Sequence, residues 1–138
     1  MSAVVEAAMG WVGTPYVHQG ATRGAGCDCL GLVRGVWAEL RGTSPEEVPN
    51  YTPDWGELGG QELLLDAARR RLAPAALPRA GDVLLFRMRA RSVAKHLGID
   101  CGGGRFVHAY RGHGVIVSPL SEPWARRIAA RFVLPDQN

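Results

Sequence analysis

No stretch of this chain approaches the roughly eighteen consecutive apolar residues that a bilayer crossing requires, so no membrane insertion is expected. The opening segment, from Met1 to Met9, lacks a basic region and carries Glu6, so it does not read as a secretory signal. Synthesis in the cytoplasm is the expectation; any work outside the cell would need another carrier. Cysteine is scarce. There are three, and Cys27 and Cys29 are separated by a single residue, poor geometry for a disulfide and shorter than a Cys-x-x-Cys metal knuckle. A reduced chain with one functional thiol is expected. Internal repeats and low-complexity tracts are missing. No nucleic-acid motif accompanies the net charge of +3. The basic residues at 69–71, at 87, 89, 91 and 95, and at 126–127 can favour an anionic surface such as nucleic acid or an acidic cell envelope, but read first as solvated helix and hairpin surfaces, and no nucleic-acid partner is expected. With 138 residues and 46% hydrophobic content, residues 1–138 are expected to form one domain around one core.

The hydrophobic pattern changes period along the chain. Val4, Val5, Ala8, Trp11 and Val12 recur at helical spacing over 3–12. Thr14-Pro15-Tyr16 then forces an extended turn, and residues 17–26 read as a glycine-rich loop. The strongest helix spans 28–41, with Asp28 as N-cap, one apolar stripe running from Cys29 to Leu40, and Gly42 as its stop. Gly31 and Gly35 on that helix predict close approach of neighbouring elements. Residues 43–58 read as an ordered proline-bearing loop, 59–72 as a further helix, and 73–78 as a linker. From Ala80 the period becomes two. Strands are predicted at 82–88, 96–101, 105–110, 114–118 and 128–134. Helices followed by a meander of strands indicate an α+β fold, with an antiparallel sheet packed on the Cys29 helix.

Three side chains carry the chemistry. Cys29 falls at a helix start, where unsatisfied N–H groups and the helix dipole favour a thiolate over a thiol of pKa ~8.5. As a bland alternative, a cysteine on an apolar stripe is a small hydrophobe. His96 and His108 lie on consecutive strands at even separation. In an even hairpin register they share a face and come within roughly 5–8 Å of each other. His96 can then take the thiol proton and His108 can hold its tautomer. A Cys-His-His metal site is the competing reading, but no carboxylate or further cysteine completes it, and neither metal nor cofactor is expected. Tyr16 is either an oxyanion donor or a tyrosine at the core's edge. Asp28 is a helix cap first and a ligand for a substrate amine second. His18 reads as a residue of the cleft rim, His113 as exposed and non-catalytic, and Cys27 and Cys101 as packing residues.

Four segments in order, Gly13-Thr14-Pro15-Tyr16 with Asp28-Cys29-Leu30-Gly31-Leu32-Val33, Gly81-Asp82-Val83-Leu84-Leu85-Phe86, His96-Leu97-Gly98-Ile99, and Phe106-Val107-His108-Ala109, resemble the signatures of the NlpC/P60 cysteine peptidases. The resemblance covers nearly the whole chain. It implies a papain-like α+β fold, a Cys29–His96–His108 triad with Tyr16 near the oxyanion, and cleavage of amide bonds in peptidoglycan stem peptides. Leu30 departs from the serine that helps bind a free substrate amine in cell-wall recycling members. The run from Gly26 to Trp37 is similar to members encoded with phage tails and gene transfer agents. That implies carriage by a phage-like particle to the cell envelope, with tail-tip or baseplate proteins as partners.

Three readings follow from the sequence. The first is a tail-associated cysteine endopeptidase acting on peptidoglycan. The second is a structural tail or baseplate component without useful catalysis, with Tyr51, Trp55 and the arginine clusters as partner surfaces. The third is an acyltransferase or amidase acting on another substrate.

Overall fold

The computed structural model describes residues 2–42, 51 and 60–134. Three helices lie early in the chain: α1 (Ala3–Met9), α2 (Cys29–Arg41) and α3 (Leu63–Arg71). A small two-stranded sheet, β1 (Ala21–Thr22) and β2 (Gly26–Cys27), precedes α2. The main sheet comprises β3 (Ala73–Pro74), β4 (Val83–Arg87), β5 (Ala94–Gly102), β6 (Arg105–Tyr110), β7 (Gly114–Pro119) and β8 (Ile128–Val133), with the short α4 (Glu122–Ala125) between the last two. Its order is β3-β8-β4-β5-β6-β7, and every pairing is antiparallel. The α+β class expected from the change of period is the class observed.

Helix α2 forms for the reasons its sequence gives. Asp28 caps it, its Oδ1 accepting the Gly31 N–H at 2.8 Å. Gly42 ends it in the left-handed region, φ 74°. Gly31 and Gly35 are where other parts of the chain press in. A β-carbon on Gly31 would sit 1.7 Å from the Gly20 carbonyl oxygen, and one on Gly35 would sit 2.2 Å from the Trp11 ring. Leu32, Val33 and Val36 are buried with Val83, Leu85, Leu97, Ile99, Val107 and Ala109 in the main core. Each such side chain contributes roughly 1.5–3 kcal/mol.

Several elements differ from the sequence expectation. Helix α1 stops at Met9 instead of 12; residues 10–13 wind into turns that deliver buried Trp11 onto Gly35. Helix α3 begins at Leu63, not 59, because Gly60 has φ +69° and the Glu62 carboxylate bonds outward, to the Ala94 N–H and to Arg87. The segment read as a linker at 73–78 opens with β3, paired on β8. Strands β1 and β2 arise within the glycine-rich loop, and α4 was not foreseen. The loop at 43–58 lies outside the described residues apart from Tyr51.

The sheet has two faces, and alternation along each strand assigns them. One face carries the main core. The other carries Leu84, Phe86 and Phe106, with Trp124 and Ile128 packed on them. His96 and His108 belong to this second face: His96 lies opposite Phe86, and the His108 ring is 4.3 Å from that of Phe106. Buried Asp82 and Asp100 both hold Arg131, which ties β8 to the start of β4 and to β5.

Candidate active site

Cys29 is the first residue of α2, and its sulfur reaches the edge of β5. The Asp100 N–H bonds to Asp82 beside β4, so strand alternation turns the Lys95 and Leu97 backbone groups towards β6. The β5–β6 ladder, however, is registered only from Ile99↔Val107 onward. The sulfur occupies the uncovered stretch: Sγ donates to the Lys95 carbonyl at 3.9 Å, and the Leu97 N–H points at it. Cys29 thus lies against the backbone on either side of His96.

Burial pushes the Cys29 thiol up to about 12, and the neighbouring Asp28 carboxylate pushes in the same direction. The Leu97 N–H on β5 and the Leu30 and Cys29 N–H groups at the helix start act in the opposite sense, but burial outweighs them. Burial thus works against the thiolate that the helix N-terminus favours.

The two histidines meet as the even register requires. His96 Nε2 and His108 Nδ1 are 2.7 Å apart, and the rings stand edge to face with centroids at 5.0 Å. Burial lowers His96 to about 3, with His108 adding to the effect, and lowers His108 to about 4, with His113 adding to it. Both rings are neutral near neutral pH. His96 Nε2 is occupied by His108, which leaves Nδ1 as its other ring nitrogen. Among the described residues the sulfur is bonded to the Lys95 carbonyl rather than to an imidazole.

Tyr16 stands beside this site, in a single parallel bridge to Cys27. Burial, then the nearby Cys29 and Asp28, raise its hydroxyl to about 12, so it remains a proton donor. Asp28 is buried and heavily engaged. Besides capping α2, its Oδ2 accepts from the Gln19 N–H at 2.8 Å and from the Tyr51 hydroxyl, and His18 lies 3.8 Å away. His18 and Gln19 also donate to the Tyr51 carbonyl, at 3.0 and 2.9 Å. His113 is exposed and stacks on Tyr110. Cys27 is buried, and Cys101 is half-buried.

Sequence reasoning missed two contributors. Tyr51, read as part of a partner surface, donates a hydrogen bond from its hydroxyl to Asp28. No local pattern announces a contact between residues 23 apart. Ser118 Oγ lies 2.8 Å from His108 Nε2. Its signal was parity alone, since Ser118 on β7 faces Phe106 across the ladder. Among the described residues no cluster of three or more histidine, cysteine or carboxylate side chains is arranged to hold a metal ion.

A model described as the NlpC/P60 family matches residues 13–132. The chain is 37% identical over 126 residues to the murein DD-endopeptidase MepS/murein LD-carboxypeptidase of Escherichia coli, covering 90% of this chain and 58% of that protein. It is 35% identical over 121 residues to the gamma-DL-glutamyl hydrolase of Bacillus subtilis, covering 88% of this chain and 26% of that protein. The fold is also similar to the crystal structure of the NlpC/p60 domain of the peptidoglycan hydrolase SagA, with a TM-score of 0.62, 26% identity and 95% of each chain covered. The chain therefore spans little more than half the length of the first relative and about a quarter of the second.

Proposed function

Given that this chain belongs to the NlpC/P60 family, we propose that it is a cysteine hydrolase that cleaves amide bonds in peptidoglycan stem peptides. One observation carries the reading: a buried, hydrogen-bonded pair of neutral imidazoles beside the strand segment on which the Cys29 sulfur rests. The activities for which the relatives are named, murein endopeptidase and gamma-DL-glutamyl hydrolase, support amide substrates of this class.

The proposed cycle starts from a neutral pair. The thiol turns from the Lys95 carbonyl to His96 Nδ1. His96 takes its proton as sulfur bonds to the scissile carbonyl carbon, and the carbonyl π electrons move onto oxygen. The Tyr16 hydroxyl is a donor for that oxyanion. Collapse breaks the C–N bond, and the amine leaves with the proton from His96. Water, losing a proton to His96, then releases the acyl group as a carboxylic acid and restores the thiol. His108 orients His96 throughout. Asp28 holds the loop of His18 and Gln19 beside the nucleophile and is also proposed as a ligand for substrate.

We also propose that a phage-like tail delivers the enzyme to the envelope, with tail-tip or baseplate proteins as partners. The run from Gly26 to Trp37 supports this by its resemblance to tail-encoded members. The rival reading, a structural tail component without turnover, draws on one observation: the thiol is buried and bonded to a carbonyl.

The test is incubation of the purified protein and Cys29→Ala with sacculi, followed by mass spectrometry of the released peptides. The proposal expects release by the first and none by the second. Equal release by both rules out a Cys29 nucleophile. No release by either favours the structural reading. Mass spectrometry of purified particles tests carriage, and absence of the chain from them removes that part.

A further inference from the structure

The His96–His108 pair does not end at His108. Its second nitrogen, Nε2, lies 2.8 Å from Ser118 Oγ. A neutral imidazole has one donor and one acceptor nitrogen, so a chain of two imidazoles and a hydroxyl runs in one of two directions. If Ser118 donates, His108 carries its proton on Nδ1 and passes it towards His96 Nε2. His96 is then protonated on Nδ1, the nitrogen needed by the thiol, and is no base. If Ser118 accepts, His108 is protonated on Nε2 and its Nδ1 accepts from His96 Nε2–H. The His96 Nδ1 lone pair is then free.

We propose that Ser118 is a positioning residue that accepts a hydrogen bond from His108 and so fixes the one tautomer in which His96 can act as base. This rests on the functional reading above. The surroundings favour that direction. Ser118 is half-buried, so its own hydroxyl proton has solvent to turn to, while His108 is fully buried and has none. The register also sets the reach. Ser118 is directly opposite Phe106, and His108 is two residues further along the same face of β6.

The experiment compares Ser118→Ala, Ser118→Thr and Ser118→Asp, by hydrolysis of a soluble stem peptide and by nitrogen-15 spectra of the histidine rings. Threonine keeps the acceptor and should keep the wild-type rate within about threefold. Alanine removes it and should lower kcat on the order of tenfold to a hundredfold, by analogy with the partners that orient metal-ligating histidines, with little change in KM. Aspartate can only accept, so it should outperform alanine. A serine that merely packs gives the opposite ranking, because a charge on a half-buried strand disturbs packing more than a methyl group does. Spectra should show wild-type His108 protonated on Nε2 and a loss of that preference in Ser118→Ala. His108 protonated on Nδ1 in the wild type, or an alanine variant as active as the wild type, overturns the proposal. The spectra do not depend on turnover. A wild type without Cys29-dependent hydrolysis therefore removes the functional reading, while the ring protonation still decides Ser118.

Discussion

His96 and His108 share a 2.7 Å hydrogen bond inside the second face of the sheet, where the rings of Phe86, Phe106 and Trp124 surround them. An imidazole in such a place is held by its partner as well as by packing. His108→Ala should therefore lower kcat by about 10²–10⁴ with Cys29 and His96 both intact. His108→Asn, whose amide can still accept from His96, should recover part of the loss. Steady-state kinetics on a soluble stem peptide gives the answer; an alanine variant turning over at the wild-type rate would remove His108 from the mechanism.

The state of the sulfur can be read by alkylation. Burial holds the Cys29 thiol up to about 12 against the pull of the helix N–H groups. Modification by iodoacetamide should be slow near neutral pH and should climb steadily through about pH 9 and beyond. A rate already level at mildly acidic pH would instead mean a resting thiolate paired with an imidazolium. Mass mapping separates Cys29 from Cys27 and Cys101.

Acid should weaken the fold from an early point. The folded values of His96 and His108, about 3 and about 4, lie below the ordinary 6.5. Below about pH 6.5 the unfolded chain takes up protons that the folded chain refuses. The stability tied to these rings is thus complete above that pH. It drains away as pH falls through the folded values, by up to about 1.4 kcal/mol per unit for each ring. Urea melts at several pH values measure the slope, and His96→Gln should flatten it. An unchanged slope in that variant would contradict the burial argument.

Two glycines of the same helix should behave differently. Gly31→Ala drives a β-carbon onto the Gly20 carbonyl, a backbone atom that cannot step aside. It should cost about 3 kcal/mol or more and displace the helix start that carries Cys29. Gly42→Ala meets no atom within 4 Å but must adopt φ +74°. That should cost about 1 kcal/mol without affecting the site. Unfolding curves of the two variants compare them directly.

What was legible in the sequence was what local pattern controls. Asp28 as cap and Gly42 as stop followed from their places beside one apolar stripe. The meeting of His96 and His108 followed from an even separation across a glycine turn, because period-two alternation leaves few alternatives. The depth at which Cys29 is buried was not legible. A helix start argues for a thiolate, and burial, which argues for the thiol, is set by the tertiary fold. Tyr51 on Asp28 and the pairing of β3 with β8 join residues far apart in sequence, where no spacing rule reaches. Ser118 looked like any small residue on a strand, since nothing near it in sequence marks its hydrogen bond to His108.

The place of β8 has a consequence for how the protein comes into being. Strand β8, the last in sequence among the described residues, does not trim the sheet's border; it is inserted between β3 and β4. As the polypeptide leaves the ribosome, β4 through β7 can form their meander while one flank of β4 still offers unpaired backbone groups to any passing strand. Nascent chains stalled before Ile128 should be captured by chaperones or aggregate, though every residue of the candidate site has already been made. Emergence of β8, rather than completion of the catalytic sequence, should be the event that closes this sheet.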